Sequence, residues 1–167
     1  MRDKKVLFLT QAALIAAIYV VLCVIFAPIS YGDVQFRIAE ALVVLPLFTP
    51  AAIPGVFIGC MLANIIGGSV VIDVVFGSLA TLIGAIGTYL LRKSSRAKIL
   101  GLLPPIVSNI IIIPWVLKIG YGMNLPIPFM MLTVGIGEVI AIGILGSILL
   151  RTLDRYKEHI FKTPAGA

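Results

Sequence analysis

IAEALVVLPLFTPAAIPGVFIGCMLANIIGG, residues Ile38 to Gly68, is apolar almost throughout and is punctuated by Pro46, Pro50 and Pro54. Whether this stretch crosses a bilayer once or twice decides the topology of the whole chain. Proline removes a backbone donor and pushes the residue before it out of the α region. Two shorter helices meeting at a proline-rich turn near Thr49 to Pro54 therefore fit best, and Gly67-Gly68-Ser69 supplies the turn that follows.

The rest of the chain has the same character. Over 167 residues the apolar fraction is 60% and charged residues make up 12%, about half the roughly 25% of a soluble domain. Mean hydropathy is +1.16. Too little polar surface remains to coat a water-soluble particle, and disorder, collagen, a disulfide-rich module and a coiled coil are excluded on the same figures. The apolar runs are long and continuous rather than alternating, so helices are expected and not a barrel. The fold class is an all-α integral membrane protein, a single six-helix domain over residues 1–167. Its helices are expected at about 6–27, 38–50, 54–68, 70–91, 99–117 and 129–150. The first has basic flanks and a core long enough to span, so it reads as a retained helix rather than a signal peptide, and Pro28 ends it. Pro104-Pro105 is expected to distort the first turns of the fifth.

The formal charge is +6, and its distribution argues against nucleic acid. Arg2, Lys4 and Lys5 precede the first run; Arg92, Lys93, Arg96 and Lys98 share one loop; Arg151, Arg155, Lys157 and Lys162 follow the last run. Clusters beside apolar spans obey the positive-inside rule, which puts the N-terminus, the 92–98 loop and the C-terminus in the cytoplasm. That holds only if residues 38–68 cross twice. The stretches 29–37, 67–72 and 118–128 then face outward.

Ionisable and amide side chains inside a span are costly and each needs a reason. Arg37, Glu40, Asn64, Asp73, Asn109 and Glu138 all fall in the outer half of the membrane on this topology. Asn109 and Glu138 each lie nine residues inward from an outer end, about 13 Å deep. The inner half carries hydroxyls such as Thr81 and Thr88 and no ionisable group between the basic loops. A polar funnel open on one side suits a site loaded from outside, whereas an ion path would continue to the other face. Arg37 with Glu40 also fits an interfacial ion pair, Asn64 a bond between helices, and Asp73 a helix cap. Trp115, Tyr121, Tyr31 and Phe36 are placed either to anchor at the interface or to stack on a flat ligand. Gly135, Gly137, Ala141, Gly143, Gly146 and Ser147 around Glu138 allow close helix contact, as do Ala12/Ala16 and Ala13/Ala17 in the first helix.

No GxxxxGK[ST], HExxH or CxxC motif is present. His159, the single histidine, lies in a cationic tail, so no nucleophile has an intramembrane base and no catalytic residue is assigned. Three scattered carboxylates make a poor metal site, and none is assigned. Cys23 and Cys60 read as buried, inert thiols. Energy for uphill transport would have to come from elsewhere.

Tyr31-Gly32-Asp33-Val34-Gln35-Phe36-Arg37-Ile38-Ala39-Glu40-Ala41-Leu42, then Pro54-Gly55-Val56-Phe57-Ile58-Gly59-Cys60 with Ala63-Asn64, resembles the QueT family of queuosine-precursor transporters. Asp73 with Phe76-Gly77-Ser78-Leu79-Ala80-Thr81, and Gly137-Glu138, fit the same pattern, and the likeness covers essentially the whole chain. That family belongs to the substrate-binding S-components of energy-coupling factor (ECF) transporters. The resemblance implies an S-component-like six-helix bundle in the bacterial plasma membrane that captures its ligand from outside and topples to release it inward. It implies a transmembrane T-component and two ATPase subunits as partners, which hold ATP and magnesium, with no cofactor in this chain. Ala12, Ala13, Ala16 and Ala17 match the family's AxxxA contact with the T-component, Ala13 and Ala17 foremost. The implied substrates are 7-deazaguanine bases. Glu138 then suits the base edge, Glu40 or Asp73 an aminomethyl cation, Asn109 the carbonyl, and Trp115 or Phe36 the ring, with Arg37 and Asn64 completing the site. An S-component for another vitamin or nucleobase, a small carboxylate-metal membrane enzyme and a ligand-free scaffold are the rival readings.

Overall fold

The computed structural model describes residues 2–30 and 37–160, with side chains at 3–28 and 37–156. Tyr31, Phe36, the outward loop between residues 31 and 36, the His159 side chain and Lys162 lie outside the described residues. Among the described residues every regular element is helical. The α-helices are α1 Arg2–Ile25, α2 Ala27–Ser30, α3 Ala52–Ile66, α4 Val71–Leu91, α5 Ala97–Leu100, α6 Leu103–Gly120, α7 Ile127–Glu138 and α8 Ser147–Ile160. A 3-10 helix, Ile38–Leu47, follows α2, and a π-helical segment, Val139–Gly146, joins α7 to α8.

Four stretches are long and apolar enough to cross a bilayer: Asp3–Ile25, Val71–Leu91, Ala97–Gly120 and Ile127–Tyr156. Ile38–Leu47 and Ala52–Ile66 are apolar but shorter. The proline-rich segment thus forms two helices with a turn between them, close to the expected bounds. The first is unusual. Its ten residues rise about 2.0 Å each in a 3-10 helix, giving roughly 20 Å. Residues Ala39 to Pro46 are all buried, which explains a sequence apolar on every side except at Glu40: such a helix belongs inside. It forms the axis of the bundle and packs against α1, α3, α4 and the π segment. Beyond Pro46, the amides of Phe48 and Thr49 both donate to the Leu45 carbonyl at 2.9 and 3.1 Å, closing the helix. The Thr49 hydroxyl then donates to Gln11 Oε1 at 2.9 Å and ties this turn to α1.

The expected fifth helix needs correction. Gly101 and Leu102 form a turn that separates the four-residue α5 from α6. Pro104 and Pro105 stand at the start of α6 rather than distorting a helix already under way. Those positions have no intrahelical acceptor for an N–H, so proline costs nothing there. The buried Thr88 hydroxyl donates to the Gly101 carbonyl at 2.7 Å and holds the turn against α4.

Small residues let these helices approach closely, the usual means of association where burial of apolar surface offers no gain over lipid. A Cβ built on Gly59 of α3 would lie 2.7 Å from Tyr19 Cβ of α1, and one on Gly55 would lie 2.9 Å from the Ala12 carbonyl oxygen. Gly146 faces Val44 of the axial helix in the same way, at 2.9 Å. Outer faces stay apolar and exposed, as at Val71, Leu90, Ile99 and Ile119, which is the surface lipid would cover.

Candidate functional site

Arg37 stands at the head of the axial 3-10 helix and Glu40 one turn further on, both buried. Asp73, in the first turn of α4, is fully buried. Its Oδ2 accepts from Arg37 Nη2 at 3.0 Å and from the Tyr121 hydroxyl at 2.8 Å. Asn64, near the end of α3, donates to the Asp73 backbone carbonyl at 3.1 Å. The Arg37 guanidinium and Asn64 also approach Cys60 Sγ, each at 3.8 Å. Four elements are therefore pinned together at one end of the bundle around one ion pair. Tyr121 lies in the loop after α6, where burial raises its pKa above the usual phenol value and the neighbouring Asp73 adds to the rise. It stays a protonated donor at neutral pH.

Deeper in, Glu40 faces α1 and α4. Its Oε1 accepts from the Tyr19 hydroxyl at 2.5 Å and from the Thr81 hydroxyl at 3.1 Å. Glu138 closes the other side from the last turn of α7, immediately before the π segment. Asn109 of α6 lines the same cavity as both carboxylates. Arg37, Glu40, Asn109, Ile113, Val134 and Glu138 line a cavity of about 10 Å³, roughly the space of one water. Glu40 Oε2 and Glu138 Oε2 are both buried without a hydrogen-bond partner. Unpaired buried oxygens of this kind are costly, and two around one cavity mark a place built to accept donors from something else.

Of the residues expected at the site, Arg37, Glu40, Asn109 and Glu138 line the cavity, while Asp73 and Asn64 hold its rim. Trp115 does not join them. It is 53% exposed on the outer face of α6, in a shallow apolar groove with Ile72, Phe76, Ile111 and Ile119. No flat ligand in the cavity would meet its ring. Phe36 lies outside the described residues. Glu40, Asp73 and Glu138 form no metal-ligating cluster. On α1, Ala12 and Ala16 are buried beside α3, whereas Ala13 and Ala17 are exposed along an apolar groove of about 640 Å³ between α1 and α3.

The chain matches the QueT transporter family over residues 9–155. It belongs to that family. A curated relative, the queuosine precursor transporter QueT of Lactococcus lactis subsp. cremoris (strain MG1363), is 38% identical over 85 residues, 50% of this chain and 50% of the relative. The match thus spans about half the length of that relative. No solved structure matches. As a member of the QueT transporter family with several helices long and apolar enough to cross a bilayer, the chain is a multi-pass membrane protein.

Three hydroxyls complete this candidate site: Tyr19, which the sequence does not single out, and Thr81, expected only as an inner-half hydroxyl, both donate to Glu40, and Tyr121, expected as an interfacial or stacking aromatic, donates to Asp73. A signal for the first was available. Tyr19 is a phenol in the middle of an apolar run, and a hydroxyl at that depth needs a partner.

Proposed function

We propose that this chain is the substrate-capturing S-component of an energy-coupling factor transporter and takes up a 7-deazaguanine precursor of queuosine. The observation that carries the reading is the pair of buried carboxylates, Glu40 and Glu138, each with an unpartnered oxygen beside Asn109. Charge favours the same ligand. Three carboxylates (Glu40, Asp73, Glu138) stand against one guanidinium, Arg37, so the site has acceptors in excess and wants donors or a cation. A deazaguanine offers ring and exocyclic N–H groups side by side, and its aminomethyl derivative adds an ammonium. The name of the Lactococcus relative points to the same substrate class.

The bundle crosses the membrane six times in this reading, the axial 3-10 helix and α3 serving as the second and third crossings, with both termini cytoplasmic. The cavity opens outward by parting of the rim formed by Arg37, Asp73 and Tyr121, since a bicyclic base far exceeds its present volume. Ala13 and Ala17, exposed on α1, form the contact with a T-component, and two ATPase subunits supply ATP hydrolysis. This chain brings no cofactor of its own.

Calorimetric titration of the purified chain in detergent tests the reading, with the aminomethyl-deazaguanine, its nitrile, guanine and several vitamins as ligands. Tight binding of a deazaguanine supports it. Absence of heat with every base overturns the substrate assignment, and binding of a vitamin instead moves the site to a different S-component ligand.

A further inference from the structure

Glu40 and Glu138 are not equivalent acceptors. A carboxylate oxygen has two lone-pair sites. On Glu40, Oε1 receives Tyr19 at 2.5 Å and Thr81 at 3.1 Å, so both of its sites are filled. The single Thr81 proton has two other acceptors in range, the Gly77 carbonyl at 3.2 Å and Cys60 Sγ at 3.5 Å. The Glu40 oxygen is nearer than either, so it takes the proton. Only Oε2 of Glu40 is left for a ligand. Among the described residues no hydroxyl donates to Glu138, whose Oε2 is buried without a hydrogen-bond partner.

From this we infer that Tyr19 and Thr81 are positioning residues that make Glu40 a one-point acceptor for the ligand's cationic group. Glu138 is left as the carboxylate able to take the two parallel N–H groups of the base edge. The inference rests on the deazaguanine reading above and adds to it which carboxylate reads which end. A planar edge with two adjacent donors needs two free oxygens in one plane; an ammonium needs one. Tyr19 is fully buried, with its Cβ against Gly59 of α3 and its hydroxyl on Glu40, so the phenol is held at both ends. Selectivity for an amine over a neutral substituent then depends on a residue that never touches the ligand.

The test compares the aminomethyl-deazaguanine with its nitrile, which keeps the base edge and lacks the ammonium. Affinities are measured for wild type, Glu40→Gln, Tyr19→Phe, Thr81→Val and Glu138→Gln, with thermal unfolding to show that each variant is folded. Glu40→Gln should weaken the amine roughly 10- to 100-fold and leave the nitrile nearly unchanged. Tyr19→Phe and Thr81→Val should each weaken the amine by a smaller factor, roughly 3- to 10-fold, again sparing the nitrile. Glu138→Gln should weaken both compounds. Equal losses for amine and nitrile in Glu40→Gln would put the base edge on Glu40 and overturn the assignment. An amine-to-nitrile ratio unmoved in both folded Tyr19→Phe and Thr81→Val would overturn the positioning role. Wild-type protein that binds neither compound would overturn the substrate reading itself, a result separable from the other two.

Discussion

Gly84→Ala is a small change with a consequence that can be worked from the coordinates. Gly84 lies in the middle of α4, and a Cβ there would stand 2.5 Å from Pro105 Cα and 2.6 Å from Pro105 Cβ. Carbon atoms make contact at about 3.5 Å or beyond, so α4 and α6 must separate by about 1 Å. Pro105 cannot swing aside, because the atoms met are backbone and a closed ring. Overpacking of this kind costs about 1–3 kcal/mol. Ser108 of α6 also donates to the buried Ala80 carbonyl at 2.9 Å, and loss of that interhelical bond adds about 0.6 kcal/mol. Asn109 lies four residues beyond Pro105, about 6 Å along the helix. Carried outward with α6, its amide is withdrawn from the cavity it lines with the two carboxylates, which should weaken ligand binding by about tenfold. Thermal unfolding in detergent and calorimetric titration with the deazaguanine read the two effects separately. Gly143→Ala is the control: its Cβ would meet Val139 Cγ1 at 3.6 Å, an ordinary contact, and both readouts should stay at wild-type values. A Gly84→Ala protein with unchanged unfolding temperature and affinity would refute the close α4–α6 packing and the route from it to Asn109.

Asp73→Asn keeps shape but removes the charge opposite the buried Arg37 guanidinium, so it should destabilise the chain by about 3 kcal/mol or more, seen as a lower unfolding temperature. Trp115→Ala should change deazaguanine affinity by less than about twofold, since the ring faces away from the cavity; a loss comparable to that of Glu138→Gln would show that the ring reaches the ligand. Replacing Ala13 and Ala17 together with leucine should leave ligand binding by the lone chain intact and abolish co-purification with the T-component and ATPase subunits, because both positions are exposed on α1 and neither touches the cavity.

Run length and composition carry most of the helical plan. A stretch such as Val70 to Leu91 has one outcome in a bilayer, and the observed α4 starts one residue later. The polar list was equally plain, because an amide or carboxylate in an apolar run stands out whatever the fold. Helix type and helix face were harder. The 3-10 form of Ile38–Leu47 and the π form of Val139–Gly146 leave no periodic trace when every position, Glu40 apart, is apolar, since periodicity is a contrast between faces. Of the two placements open to Trp115, the structure has the lipid-facing one: on α6 only Ser108 and Asn109 mark the inward side, and Trp115, six residues past Asn109, falls about 120° away from it. Tyr19 was passed over for another reason. Its ring fits an apolar core, and the hydroxyl that matters is one atom on a residue that looks like packing.

The six polar residues behave as two groups, and their charges explain why. Arg37 and Asp73 neutralise each other, with Tyr121 also donating to Asp73 Oδ2 and Asn64 to its backbone carbonyl, while Asp73 Oδ1 is buried without a hydrogen-bond partner. The charge of that group is compensated within the protein. Glu40 and Glu138 have no cation of their own within the pair, and each keeps one buried oxygen without a partner. A ligand that brings donors removes a penalty already present in the protein, so part of its affinity comes from relief of the site rather than from new contacts. Arg37 touches both groups: it belongs to the rim through Asp73 and lines the cavity beside Glu40. In the proposed reading, entry of a base parts the rim and brings the ligand beside Arg37 as well as Glu40. Preference for a charged ligand then rests on Glu40 Oε2, the one oxygen of that carboxylate left unpartnered, and it must outweigh repulsion from the neighbouring guanidinium.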